Sequence, residues 1–135
     1  MSDSGAGEAG SIGWVDIAVE NAEELRDFYA RVVGWKPSAF DMGGYSDYIM
    51  AAPSSGSHVS GICHARGMNA GLPPVWLVHI TVENLDESAA RCVELGGKIL
   101  LGPKSLEGQG RYCVMQDPAG AVAGLFEPAR RDPAP

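Results

Sequence analysis

The sequence of 135 residues repeats itself, and this repeat constrains the fold more than any other feature. When one copy is shifted by 63 positions, the V-x-I-x-V-E-N segment that begins at Val15 aligns with the one that begins at Val78. The same register pairs Gly61 with Gly124. Because chance similarity rarely keeps one register over about fifty positions, the repeat predicts two copies of a module of about 60 residues.

Each copy has the same predicted order of elements. The opening strands, at 12–19 and 75–82, carry β-branched residues at alternating positions. Asn21 and Asn84 follow these strands, each with a glutamate three residues later, which is typical of a helix capping box. Three further strands are predicted in each copy, near 35–41, 45–52 and 57–65, and near 98–102, 110–116 and 121–127. The expected fold class is α+β, built from two βαβββ modules.

The repeat also predicts how the chain is divided. The expected parts are module one at 12–66, a linker at 67–74 and module two at 75–128, which together form one domain, with flexible ends at 1–11 and 129–135. The linker is rich in Gly and Pro, and the first eleven residues are rich in Gly, Ala and Ser.

Composition argues against several classes of function. Ten Lys and Arg against 17 Asp and Glu give a net charge of −7, whereas nucleic-acid or anionic-membrane binding needs a dense cationic face. The acidic N-terminus lacks the pattern of a signal peptide, and no window approaches the ~20 apolar residues of a membrane span. Three cysteines without paired spacing predict reduced thiols. We therefore expect a cytoplasmic protein that binds neither nucleic acid nor membrane.

The two opening strands differ on one face only. One face carries the same apolar residues in both copies, which indicates the face covered by the helices. The opposite face carries Trp14 and Asp16 in the first copy but Leu77 and His79 in the second. Because an asymmetric ligand needs different chemistry on each side, this divergence predicts a binding cleft between the modules.

The predicted lining of this cleft combines aromatic, sulfur-containing and polar side chains. It consists of Trp14, Asp16, Tyr48, Met50, Cys63, Leu77, His79 and Phe126. Asp16 and His79 occupy equivalent positions of the repeat, and both are expected to point inward. Two interpretations of this pair stay open. It is functional, either as a ligand-contacting pair or as a carboxylate-supported imidazole able to exchange a proton, or it forms a buried structural hydrogen bond across the module interface.

Beyond the repeat, two short motifs resemble a known family. They are the "FY…GW" element of Phe28-Tyr29 and Gly34-Trp35, and the closing turn Asp117-Pro118-Ala119-Gly120. With the V-x-I-x-V strands they resemble the vicinal oxygen chelate superfamily, which includes glyoxalase I, bleomycin-resistance proteins and extradiol dioxygenases. The resemblance covers about residues 12–128. It implies a cup-shaped mixed sheet with helices on its outer face, often completed or doubled in a homodimer.

In metal-using members of this superfamily, four side chains hold one divalent ion. A His or Gln comes from each opening strand and a Glu from each last strand, and the metal acts as a Lewis acid. By position, the resemblance places these ligands at Trp14, Leu77, Gly61 and Gly124. None of these residues can ligate a metal, so no cofactor is expected.

A displaced metal site is a weaker alternative. Its ligands would be Asp16, His64, His79 and Glu127, which form two pairs related by the repeat. However, His64 and Glu127 lie an odd number of residues from Gly61 and Gly124, so they should face away from the cleft. They are predicted to be rim or surface residues.

These observations favour a protein that sequesters a small, partly apolar molecule without a metal, as bleomycin-resistance proteins do. The first alternative is a lyase, isomerase or dioxygenase, which uses either the displaced metal or acid–base catalysis by Asp16 and His79. The second alternative is a subunit whose fold serves mainly to form a homodimer.

Overall fold

The computed structural model describes residues 7–129, and contacts divide these residues into two compact units. The first unit comprises residues 15–76, and the second comprises residues 7–14 together with 77–129. The predicted flexible ends, 1–11 and 129–135, lie mostly outside the described residues. Within residues 7–129, neither helix has the length and apolar character needed to cross a membrane.

The first unit is a βαβββ module with a mixed sheet. Its elements are β1 (Ile12–Val19, shared with the second unit), α1 (Ala22–Val33), β2 (Lys36–Asp41), β3 (Ser46–Ala51) and β4 (His58–His64). The strand order is β2-β3-β4-β1, in which β1 is parallel to β4 and the other pairs are antiparallel. A short 3-10 helix at Gly67–Asn69 follows β4.

The second unit repeats this arrangement. Its elements are β5 (Leu77–Thr81), α2 (Leu85–Glu94), β6 (Lys98–Leu106), β7 (Gly110–Gln116) and β8 (Val122–Pro128). The strand order is β5-β8-β7-β6, with β5 parallel to β8. Thr81 also exchanges backbone hydrogen bonds with Gly10 and Ser11, which fixes the start of the described chain beside β5. The predicted α+β class and the two βαβββ modules are confirmed.

Both helices begin at the predicted capping residues. The Glu24 amide donates to Asn21 Oδ1 at 3.1 Å, and the Glu87 amide donates to Asn84 Oδ1 at 3.0 Å. These bonds satisfy backbone donors that would otherwise lack a partner in the first helical turn. The local sequence therefore fixes where each helix starts, and this places a helix against one face of each sheet.

The core of each unit lies between its helix and its sheet. In the first unit the core consists of Ile17, Ala22, Tyr48, Met50 and Ile62. In the second unit it consists of Leu85, Cys113 and Leu125. The V-x-I-x-V face of each opening strand is therefore the helix-covered face, as predicted. The opposite sheet faces hold the divergent residues.

The first unit extends past the predicted linker to Trp76. The Trp76 indole donates from Nε1 to the hydroxyl of Tyr29 at 3.1 Å and contacts the ring of Trp35 edge-on. These contacts bind the end of the segment at 67–76 to the helix that belongs to the first module. Such aromatic contacts depend on residues far apart in the chain, so a Gly/Pro-rich composition did not indicate them.

Candidate functional site

In the first unit, Asp16 and Cys63 lie on the sheet face opposite the helix. Asp16 pairs with Gly61 and Ala18 pairs with Cys63, so these four residues share one face, called here the first-unit face. Burial, together with the nearby carboxylates of Asp16 and Asp47, raises the pKa of the Cys63 thiol well above its ordinary range. The thiol is therefore protonated at neutral pH and is a poor nucleophile.

In the second unit, His79 occupies the equivalent face. His79 pairs with Gly124, and Phe126 pairs with both Thr81 and Tyr112. We call His79, Gly124, Phe126 and Tyr112 the second-unit face. A Cβ atom built on Gly124 would overlap the His79 imidazole. The ring therefore lies directly over the glycine backbone, and this close approach requires a residue without a side chain at position 124.

The predicted lining residues do not all lie on these two faces. Tyr48 pairs with Ile62 and Met50 pairs with Ser60, which places both on the helix side of the first unit. Met50 is 0% exposed and packs in the core. The prediction that Tyr48 and Met50 line a cleft is therefore corrected: the sheet pleat directs both side chains into the core.

The remaining predicted lining residues differ in exposure. Leu77 is only 2% exposed, whereas Trp14 is half-buried. Asp16, Cys63, His79 and Phe126 are also half-buried. Half-buried side chains keep surface through which they can contact another molecule. The role of these residues in ligand binding stays a prediction.

His64 is 8% exposed, not a rim or surface residue as predicted. Its Nδ1 lies 3.2 Å from Asp47 Oδ1, and its Nε2 lies 3.1 Å from Glu23 Oε2. The odd-step argument correctly placed its side chain on the face opposite Asp16. It failed to indicate burial, because that burial depends on α1 packing over the end of β4 and bringing Glu23 to the ring.

Glu127 is half-buried and caps a helix, a role that the prediction of a rim or surface residue did not include. Its Oε1 accepts a hydrogen bond from the Leu85 amide at 2.7 Å, at the beginning of α2. Beside it, the Arg111 guanidinium makes a two-point ion pair with Asp86, at 2.9 and 3.0 Å. The ion pair lowers the pKa of Asp86 and raises that of Arg111. Arg111 is therefore already engaged within its own unit.

The two polar clusters occupy equivalent places in the repeat. The shift of 63 residues relates Glu23 to Asp86, His64 to Glu127 and Tyr48 to Arg111. In the first unit, the Tyr48 hydroxyl donates a hydrogen bond to Glu23 at 3.4 Å. The equivalent bond in the second unit is donated by Arg111 to Asp86. Each module thus links the first turn of its helix to its third and fourth strands. The two links differ in chemistry, and no sequence motif indicated them.

The metal-ligand positions of the superfamily do not fit a metal in this chain. Leu77 is a buried hydrocarbon, and the space beside Gly124 holds the His79 ring. In the displaced set, His64 lies on the opposite sheet face from Asp16, and both of its ring nitrogens already contact carboxylates. Across residues 7–129, no three His, Cys, Asp or Glu side chains are grouped so that they could hold an ion.

Sequence comparison agrees with the paired βαβββ architecture. The sequence model of the Glyoxalase/Bleomycin resistance protein/Dioxygenase superfamily matches residues 11–123. The chain belongs to this superfamily. This membership confirms the resemblance drawn from the repeat, the "FY…GW" element and the closing turn.

Several known proteins are similar to this superfamily member. The putative glyoxylase CFP32 of Mycobacterium bovis is 28% identical over 122 residues, covering 90% of this chain and 46% of that protein. The anthracycline biosynthesis protein DnrV of Streptomyces peucetius is 31% identical over 124 residues, covering 90% and 42%. The chain thus spans about half the length of these curated relatives.

Solved structures show the same fold. The Mn(II)-bound glyoxalase from Novosphingobium aromaticivorans matches with a TM-score of 0.55 and 19% identity, over 93% of this chain and 42% of that one. Methylmalonyl-CoA epimerase from Mycobacterium tuberculosis matches with a TM-score of 0.50 and 17% identity, over 96% and 94%. At these identities the matches establish the fold, and function depends on the site residues.

Proposed function

We propose that this superfamily member binds a small, partly apolar molecule through the second-unit face, and that it does so without a metal ion. The observation that carries this proposal is the His79 ring over Gly124. A carboxylate ligand at residue 124 would need the volume that the imidazole fills. The chain therefore presents a histidine and neighbouring aromatic rings where metal-using relatives would present a ligand.

The chemistry of the second-unit face supports an amphipathic ligand. Half-buried His79 can donate or accept a hydrogen bond, and Phe126 offers an aromatic surface beside it. Aromatic and apolar walls with a few polar groups are the usual composition of small-molecule sites.

A homodimer forms part of this proposal. The curated relatives are about twice as long as the segment they share with this chain, so a second copy could supply what their remaining length supplies. Light scattering should give twice the monomer mass of 14.2 kDa, whereas a concentration-independent monomer would contradict this part.

A thermal-shift screen followed by calorimetric titration tests the binding proposal. A ligand that binds only the native state raises the melting temperature, by several degrees at about 100 times its Kd. The panel should hold polycyclic aromatic and amine-bearing compounds, including an anthracycline because two relatives are named for anthracycline biosynthesis. The shift should disappear in His79→Ala and Phe126→Ala.

His58→Ala is the matched control, because His58 is an exposed histidine at the start of β4 in the other unit. This variant should bind as the unmodified chain does. Equal loss in both histidine variants, or no shift across the panel, would contradict binding through the second-unit face. If the bound compound is chemically converted, as product analysis by mass spectrometry would show, the alternative of acid–base catalysis replaces sequestration.

A further inference from the structure

The first unit contains a buried histidine whose two ring nitrogens both face carboxylates. His64 Nδ1 lies 3.2 Å from Asp47 Oδ1, and Nε2 lies 3.2 and 3.1 Å from the two oxygens of Glu23. Asp47 is 5% exposed and also accepts the His64 backbone amide at 2.8 Å. The ring thus joins three elements: α1 through Glu23, β3 through Asp47 and β4 through its own backbone.

The other groups around this ring do not replace the carboxylates. Tyr45 contacts the imidazole edge-on at 5.5 Å, and Tyr48 lies 6.3 Å from it. The nearest arginines contact these aromatic rings: Arg66 lies over Tyr45 at 4.0 Å, and Arg26 lies over Tyr48 at 4.7 Å. The charged groups that contact the imidazole nitrogens themselves are the two acids.

This geometry depends on the protonation state of the ring. A neutral imidazole carries one N–H, so it can donate to only one carboxylate and directs a lone pair at the other. An imidazolium donates at both nitrogens and forms two charge-assisted hydrogen bonds. Protonation therefore adds the second bond, and deprotonation removes it.

The second unit offers an internal comparison. At the equivalent place, Asp86 forms an ion pair with Arg111, whose charge is permanent. The Leu85 amide donates a hydrogen bond to Glu127. The Asp86–Arg111 ion pair at the first turn of α2 therefore keeps its charges between about pH 5 and 8, because it lowers the pKa of Asp86 and raises that of Arg111. The first turn of α1 is instead bound through His64, and histidine is the residue type whose charge changes in this range.

We infer that His64 is a proton-operated clamp, which as an imidazolium fastens the first turn of α1 to β3 and β4 and, when neutral, releases one of its two carboxylates. The clamp is complete when both ring nitrogens carry protons, and it is lost when one of these protons leaves. The Asp47 carboxylate also helps to raise the pKa of the Cys63 thiol, so it acts electrostatically on a residue of the first-unit face.

Two measurements on the full chain test this inference without any ligand. Ring-nitrogen NMR over a series of pH values should show His64 passing from two protonated ring nitrogens to one. Amide hydrogen exchange, corrected for its intrinsic pH dependence, should show protection in the first turns of α1 falling about 3- to 10-fold with that titration, the range of one lost hydrogen bond. Protection in α2 should not change.

Variants separate the clamp from a general effect of pH. His64→Gln should remove the pH response of α1, and His58→Gln, on the same strand but exposed, should keep it. If His64→Gln does not fold, Glu23→Ala gives the same test because it removes the acceptor at Nε2 and leaves the ring in place. A pH response shared equally by α1 and α2, or one that persists in Glu23→Ala, would overturn the inference.

Discussion

The His79 imidazole lies over the backbone of Gly124, in the space that a side chain at residue 124 would need. Gly124→Ala should therefore destabilise the chain by about 1–3 kcal/mol, the usual cost of inserting atoms into a packed site. Urea denaturation measures this change. In a His79→Ala background, the same substitution should cost much less, because the ring that it meets is gone. Equal costs in both backgrounds would show that the ring does not fill this space.

Removing the acceptor at the start of α2 should weaken the second unit. Glu127→Ala leaves the Leu85 amide without its 2.7 Å partner, and we expect a loss of about 0.5–1.5 kcal/mol in the free energy of unfolding. Glu127→Gln keeps an oxygen acceptor and should cost less. If the two variants lose the same amount, charge near Arg111 matters more than the capping bond.

The carboxylate of Glu23 should make stability depend on pH in the acid range. Hydrogen bonds from its own backbone amide, and then from His64, lower the pKa of Glu23 below its ordinary value of 4.5. A group with a lowered folded-state pKa contributes stability above its unfolded pKa, and this contribution is lost as pH falls through the folded pKa.

The stability difference between the unmodified chain and Glu23→Gln should consequently shrink as pH falls below about 4.5. Denaturant titrations at several pH values measure it. Glu24→Gln, one residue along α1, is the control. If the stability difference instead grew as pH fell, the pKa of Glu23 would be raised by folding and not lowered, which would contradict this prediction.

The Cys63 thiol should react slowly with alkylating reagents. Burial, with Asp16 and Asp47 nearby, raises its pKa, so at about pH 8.5 its rate should fall at least tenfold below that of the same residue in urea. Mass spectrometry with residue-level assignment gives both rates in one sample series. If the native protein reacted as fast as the protein in urea, neither burial nor the neighbouring carboxylates would be raising the pKa of the thiol.

Local patterns predicted most of the fold. Period-two alternation located the strands, and Asn21 and Asn84 located the helix starts, because both features depend on residues close in sequence. The predicted strand at 98–102 is longer in the structure, where β6 runs to Leu106. The strand continues through Pro103, because an edge strand has one side that needs no hydrogen bonds and therefore tolerates proline.

The site was predicted less completely, for a physical reason. Strand parity correctly separated His64 from Asp16, yet Tyr48 and Met50 were placed on the wrong face because their register to β4 was unknown. Neither the Glu23–His64 pair nor the capping role of Glu127 could be predicted, since each joins residues about forty positions apart. Such contacts depend on tertiary packing, which local patterns do not encode.

The metal content of the purified chain tests the central claim most directly. After incubation with Ni, Zn, Fe and Mn salts and desalting, elemental analysis should find far less than one metal ion per chain, in both the unmodified protein and His79→Ala. We expect this result because none of the residues at the superfamily's ligand positions can ligate a metal. One tightly held ion per chain that is lost in His79→Ala would contradict it, because the imidazole would then be a ligand.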